Sequence, residues 1–184
     1  MLSNQLKLND NKTEIVLIGS RQQLQHLPDI NIHIGNEIVK PVNKARNLGI
    51  IFDSNMNLND QINHVCKKAN HQLIKIKQLR KYLSKKDTET LVHAFITSSI
   101  DYCNSIYYNL PKKQILKLQR IQNHAARVIT KTRKYDHITP VLKSLHWLPV
   151  HYRIIFKIAL LVYKSINNLT PTYLKEMIVL SKKK

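Results

Sequence analysis

The segment Pro111–Lys131 reads PKKQILKLQRIQNHAARVITK. Wound as a helix at ~100° per residue, it places Lys113, Lys117, Arg120, His124, Arg127 and Lys131 on one narrow stripe, in steps of four and three. Ile115, Leu118, Ala125, Ala126 and Ile129 fall on the opposite side. An apolar stripe seats a helix on a core, and a stripe of like charge with no carboxylate in the segment faces outward. Two readings follow. A solvated face kept soluble by lysine would carry Asp and Glu among the cations, as stabilising i,i+4 partners. Their absence favours a helix laid along phosphates.

The rest of the chain extends this bias. Of 184 residues, 43% are hydrophobic and only 3 are Gly and 6 Pro, which predicts a folded, helix-rich protein. Net charge is +19, and it is unevenly placed. Residues 1–53 hold 6 Lys and Arg against 5 Asp and Glu, whereas residues 54–184 hold 24 against 6. A strongly basic segment favours nucleic acid or an anionic membrane as partner. Membrane fits less well, because the longest apolar run, Ile154 to Tyr163, contains Lys157 and falls short of the ~20 residues of a spanning helix. The start, MLSNQLKLNDNK, is polar and lacks an apolar signal core, so the expected location is intracellular, nuclear or cytoplasmic. Cys66 and Cys103 have neither CxxC spacing nor a nearby Cys/His pattern, and are expected as half-buried helix residues.

Before Asp53 the pattern is that of strands. Thr13 to Ile18 is rich in β-branched residues, and Ile30, Ile32 and Ile34 alternate with polar residues up to Gly35-Asn36. That dipeptide suits a two-residue hairpin turn, with Glu37 to Lys40 as the returning strand. Leu48 to Phe52 reads as another strand. From Asn57 the period becomes helical: Ile62, Val65, Cys66, Ala69, Leu73, Ile76, Leu79 and Leu83 form one face, capped by Asn57 or Asn59. Ser84-Lys85-Lys86-Asp87 resembles a capping box and opens a second helix to about Tyr108. Pro111 starts the third. A cationic loop with Arg133, Lys134, Tyr135 and His137 follows, then a short helix from Thr139-Pro140 to about His146, another from Leu148-Pro149 to about Asn167, and a last one from Thr170-Pro171. Lys182 to Lys184 should fray. The fold class is therefore mainly α (α+β): a small antiparallel β segment over residues 1–55, then a bundle of about five to six helices over residues 56–184.

Several strings in this order carry a family resemblance: RNLGIIFDSNM (Arg46–Met56), LVHAFITSSIDYCNSIYYNLPK (Leu91–Lys112), LQRIQNHAARVIT (Leu118–Thr130) and HITPVLKSLHWLPVHYRIIFKIALLVYKSINNLTPTYL (His137–Leu174). Together they resemble the region that follows the catalytic palm in reverse transcriptases of non-LTR (LINE-type, jockey-like) retrotransposons, over roughly Leu8 to Leu180. The resemblance implies the end of a palm followed by a helical thumb, which grips the RNA/DNA duplex of template and primer. It also implies that the palm and fingers of a parent polymerase are partners. Polymerases of that family hold divalent magnesium on paired aspartates, and no Asp-Asp pair occurs in this chain, so it is expected to need no cofactor and to be inactive alone. Leu8 to Glu14 is similar to the family segment just after the aspartate box, and this makes Lys12 the match of a lysine that assists the leaving pyrophosphate. As an isolated residue, Lys12 simply precedes a surface strand.

Lys113, Lys117, Arg120, His124, Arg127, Lys131, Arg133 and Lys134 are thus the expected nucleic-acid contacts, with no catalytic residue beyond Lys12 and no metal ligand. His146-Trp147-Leu148-Pro149 contains the only tryptophan, expected as a core or hinge anchor rather than a base-stacking platform. Tyr135 reads as an exposed tyrosine with a nucleotide stack as the alternative. Asp101-Tyr102-Cys103, with His93 eight residues away, reads as helix packing rather than a nucleophile. Two other functions stay open: a polymerase whose palm comes from a partner, and the product of a decayed reading frame or a helical interaction module.

Overall fold

The computed structural model describes residues 9, 12–28, 30–34 and 37–179. It is mainly α-helical, with two small antiparallel hairpins near the start. Two compact units divide the chain, residues 1–63 and 64–184. The division falls within a helix, Asn59–Leu79, rather than in the loop before it.

In the first unit, a five-residue helix, α1 (Arg21–Gln25), follows Ser20, whose hydroxyl accepts from Gln23 N–H while the Gln23 side chain accepts from Ser20 N–H. That reciprocal pair is a capping box, unforeseen because no apolar run follows it. Strands β1 (Ile32–Ile34) and β2 (Glu37–Val39) pair antiparallel with Ile32 opposite Val39, as the alternating isoleucines required. Their Gly35-Asn36 turn lies outside the described residues, as do Lys182 to Lys184. The second hairpin joins β3 (Lys44–Asn47) to β4 (Ile50–Asp53).

Here two expectations fail. Leu48 does not begin a strand but sits in the turn with Gly49, both at positive φ (46° and 83°), and is 82% exposed. A two-residue turn with both central residues left-handed matches the twist of a hairpin, so strand pairing overrode the apolar run. Thr13–Ile18 forms no strand either. Among the described residues its one strand-like pairing is a bridge from Ile15 to Pro41, with Val42 N–H donating to the Ile15 carbonyl at 2.7 Å. Without a continuous neighbour, β-branched residues have no ladder to join.

Helix α2 (Asn59–Leu79) begins after a turn organised by Asp53, whose carboxylate accepts from Asn55 and Asn57 N–H (3.2 Å each) and Leu58 N–H (2.7 Å). Asn57 contributes as expected, its Oδ1 accepting from Asn59 N–H at 3.1 Å. Gln61 is buried and accepts from Ile51 N–H at 3.0 Å, fixing β4 to the first turn of α2. Along α2, Ile62, Val65, Ala69, Leu73 and Ile76 are buried as their spacing predicts; Leu79 is exposed, because the helix tightens into a 3-10 turn at Arg80–Tyr82.

The second unit continues with α3 (Lys85–Val92), a π-helical turn (His93–Thr97) and α4 (Ser98–Asp101), one unbroken rod. Ser84 caps it, accepting from Asp87 N–H at 3.1 Å and donating to the Asp87 carboxylate at 2.7 Å. The rod stops at Asp101, not near Tyr108. Cys103 turns left-handed (φ 50°), and Asn104–Tyr107 forms a 3-10 turn that buries Tyr107 and Asn104. Asn and Ser side chains compete with the helical backbone, which is why the helix ends among them. Next come α5 (Lys112–Thr130), α6 (Ile138–Ser144), α7 (Val150–Ile166) and α8 (Thr172–Glu176). Helix α6 opens one residue before Thr139, with His137 at the cap position but making no side-chain capping bond, and with Pro140 in its first turn where a missing N–H costs nothing.

Helix α5 lies at the centre of this unit, against α3, α6 and α7. Its buried side comprises Leu118, Ile121, Ala125, Ala126, Val128 and Ile129, together with Gln114 and Gln122. The glutamines are the surprise, and Gln122, with the half-buried Gln119, has a use. Gln122 Nε2 donates to the Leu148 carbonyl and Gln119 Oε1 accepts from Val150 N–H, both at 2.8 Å, so α5 holds the chain on either side of Pro149. Trp147 is 8% exposed and meets the His93 ring edge-on at 5.5 Å, which makes it a core anchor. Arg153 of α7 forms a two-pronged ion pair with Asp101, Nε to Oδ1 at 2.8 Å and Nη2 to Oδ2. That pair is the helix-packing role expected of the Asp101 segment.

Candidate nucleic-acid interface

The stripe on α5 is real over most of its length. Lys113, Arg120 and His124 are exposed and Lys117 half-buried, all away from the core positions. It ends sooner than the periodicity implies. Lys131 lies beyond the helix in a left-handed cap (φ 64°), its N–H donating to the Arg127 carbonyl at 3.0 Å, so its side chain leaves the helical register.

Arg127 also departs from its expected part. Its Nε donates to the Arg133 carbonyl (3.2 Å) and its Nη2 to the Asp136 carbonyl (3.0 Å). Arg133 N–H in turn donates to the Asp136 carboxylate at 3.0 Å. Arg127 therefore folds the loop between α5 and α6, and a fork of five donors is suited to gathering carbonyls in that way. Arg133 and Lys134 are exposed on that loop, beside Tyr135, which is 90% exposed with Lys134 Nζ 5.6 Å from its ring centre.

One contributor was invisible in the α5 periodicity. Partial burial, then the Lys77 and Arg127 charges, hold the His124 imidazole below its ordinary pKa. Lys77 of α2 therefore lies within electrostatic reach of the stripe. Burial pushes the Cys66 thiol up, opposed by Lys117, so a second point on α2 neighbours the stripe on α5. Cys66 and Lys77 are eleven residues apart, close to three full turns, and so share a face of α2. That register is the one sequence signal that could have nominated Lys77, and only once its neighbour was known. Lys113, Lys117 and Arg120 are the cations of the α5 stripe, and Lys77 of α2 acts electrostatically on His124 beside them.

Other candidates do not join this surface. Lys12 is exposed in the first unit, its N–H closing a turn on the Asn9 carbonyl at 3.1 Å, while Asp10 and Asn11 lie outside the described residues. An open cleft of about 880 Å³ in that unit is lined by Lys44, Asp53, Asn55, Asn57 and Asp60 among others. Its charges are already matched: Lys44 pairs with Asp60 at 3.0 Å, and Asp53 holds three backbone donors. Cys103 is exposed. Among the described residues no three His, Cys, Asp or Glu side chains gather in one place. No described helix is long and apolar enough to cross a membrane. No family model matches the chain, and no curated protein or solved structure matches it.

Proposed function

We propose that the helical unit holds nucleic acid by its sugar-phosphate backbone, as the thumb-like, C-terminal part of a retrotransposon RNA-directed DNA polymerase that lacks the catalytic aspartates. The observation that carries the binding half is the cationic stripe of α5, Lys113, Lys117 and Arg120, in a helix with no carboxylate, with Lys77 of α2 acting electrostatically on His124. The ordered strings from Arg46 to Leu174 support the polymerase half. From Lys113 to His124 the helical stripe rises ~16 Å, enough to follow about five nucleotides of one strand. Such a surface grips backbone and does not read bases. Magnesium, and the chemistry it supplies, belong in this reading to the absent palm.

The test is a salt titration of binding to an RNA/DNA hybrid duplex. Neutralising about four phosphates gives a slope of log affinity against log salt near −4, with little dependence on sequence. A flat response would remove the proposal. Primer extension with magnesium and deoxynucleotides should give no product, and a product would return the chain to the enzymes.

A further inference from the structure

Helix α7 buries Val150, Ile154 and Ser165, yet its opposite side is also apolar. A second apolar side on a helix, left open to water, marks a surface suited to a further partner. The uncovered side is centred on the exposed Ala159. Phe156 and Val162 stand three residues either side of it, Ile155 and Tyr163 four, and Tyr152 and Ile166 seven, these six being 37% to 62% exposed. Lys157 and Lys164 lie about 140–160° round the helix from Ala159 at ~100° per residue, so no charge interrupts the seam.

The order of sizes along this seam is informative. At each distance from Ala159 an aromatic residue on one side corresponds to an aliphatic one on the other: Phe156 to Val162, Tyr163 to Ile155, Tyr152 to Ile166. Two such helices laid antiparallel with Ala159 on the two-fold axis would set every ring against an aliphatic side chain of its mate. Large against small is how facing layers interdigitate, and a two-fold interface demands a self-complementary patch. Alanine at the crossing lets the backbones approach, and opposed helix dipoles attract. A parallel pair would instead stack Tyr152 on Tyr152 and Tyr163 on Tyr163. With aromatic rings at roughly 200 Å² each when whole, the seam offers on the order of 600 Å² per copy, which places a dimer at the lower edge of stable interfaces, about 1,200 Å² in total.

From this the geometry points to a second copy of this chain as the occupant, α7 on α7, antiparallel about Ala159. The proposal is independent of nucleic-acid binding, because α5 and α2 carry those cations.

The full chain, freed of nucleic acid and held in ~0.3 M salt to screen its charge, should sediment as twice its 21.5 kDa as concentration rises. Phe156→Glu should raise the dimer dissociation constant about 100-fold or more with unchanged helical circular dichroism, since it brings two carboxylates into an apolar seam. Orientation is read by cross-linking, in a background carrying Cys66→Ala and Cys103→Ser. Ala159→Cys should form a disulfide with itself, and Tyr152→Cys only when mixed with Ile166→Cys. A chain that stays monomeric at every concentration, whether free or captured by anionic liposomes, overturns the proposal. So does Tyr152→Cys cross-linking to itself.

Discussion

Helices α5 and α7 are of similar length, 19 and 17 residues, and each buries one side in the same unit. Their other sides differ in kind. The outward side of α5 is cationic and stable in water without a cover, whereas that of α7 is apolar and costs free energy for every square ångström left wet. A charged face gains from a partner of opposite charge but does not require one, while an apolar face gains free energy from any cover that takes it out of water. The two faces therefore call for different partners, and variants can separate them.

The largest expected effect is on α5. Replacing Lys113, Lys117 and Arg120 together with glutamate should weaken duplex binding by about 10²–10³-fold near 0.1 M salt, since about three phosphate contacts are lost. Self-association through α7 should not change. Binding that survives the triple variant would show that the cationic surface is a solvated face and no more. Next in size is the Asp101–Arg153 pair, whose side chains are 32% and 20% exposed. Asp101→Asn should cost about 2 kcal/mol in chemical denaturation, below the figure for a fully buried pair because water reaches this one. Smaller again, Gln122→Leu should cost about 1 kcal/mol by orphaning the Leu148 carbonyl. Arg127→Met should loosen the loop from Arg133 to Asp136 and weaken binding only about threefold, in keeping with its part as a loop anchor rather than a phosphate contact.

These effects also mark what could be read in advance. The start, end and buried side of α5 follow from Pro111, the three-four spacing and the core residues Leu118, Ala125, Ala126 and Ile129, all local signals. The first hairpin followed from alternating isoleucines. The second did not, because its turn is Leu48-Gly49 rather than a recognised turn pair, and only strand pairing fixes it. Arg127 was legible as a cation on the stripe but not as the residue that gathers two carbonyls from six and nine positions downstream. Lys77 and the bare seam of α7 were hidden for a common reason: both depend on which helix lies beside which, and periodicity within one helix is silent about its neighbours.

The smallest effect probes that neighbour relation directly. His124 has its pKa held below the ordinary value near 6.5, first by partial burial and then by Lys77 and Arg127. Its charged form is thus disfavoured in the folded state. Above pH 6.5 neither state binds the proton and nothing is lost; as pH falls through 6.5 the unfolded chain protonates first, and stability declines until the folded pKa is passed. Bound phosphate acts in the opposite direction, favouring the imidazolium, so nucleic-acid binding should take up a proton at this site. Affinity is then expected to rise about twofold from pH 7.5 to 5.5, and His124→Gln should flatten that rise. Lys77→Met removes one of the two cations and should move the His124 titration upward in an NMR pH series. If the midpoint stays where it was, Lys77 does not reach α5, and the interface shrinks to a single helix.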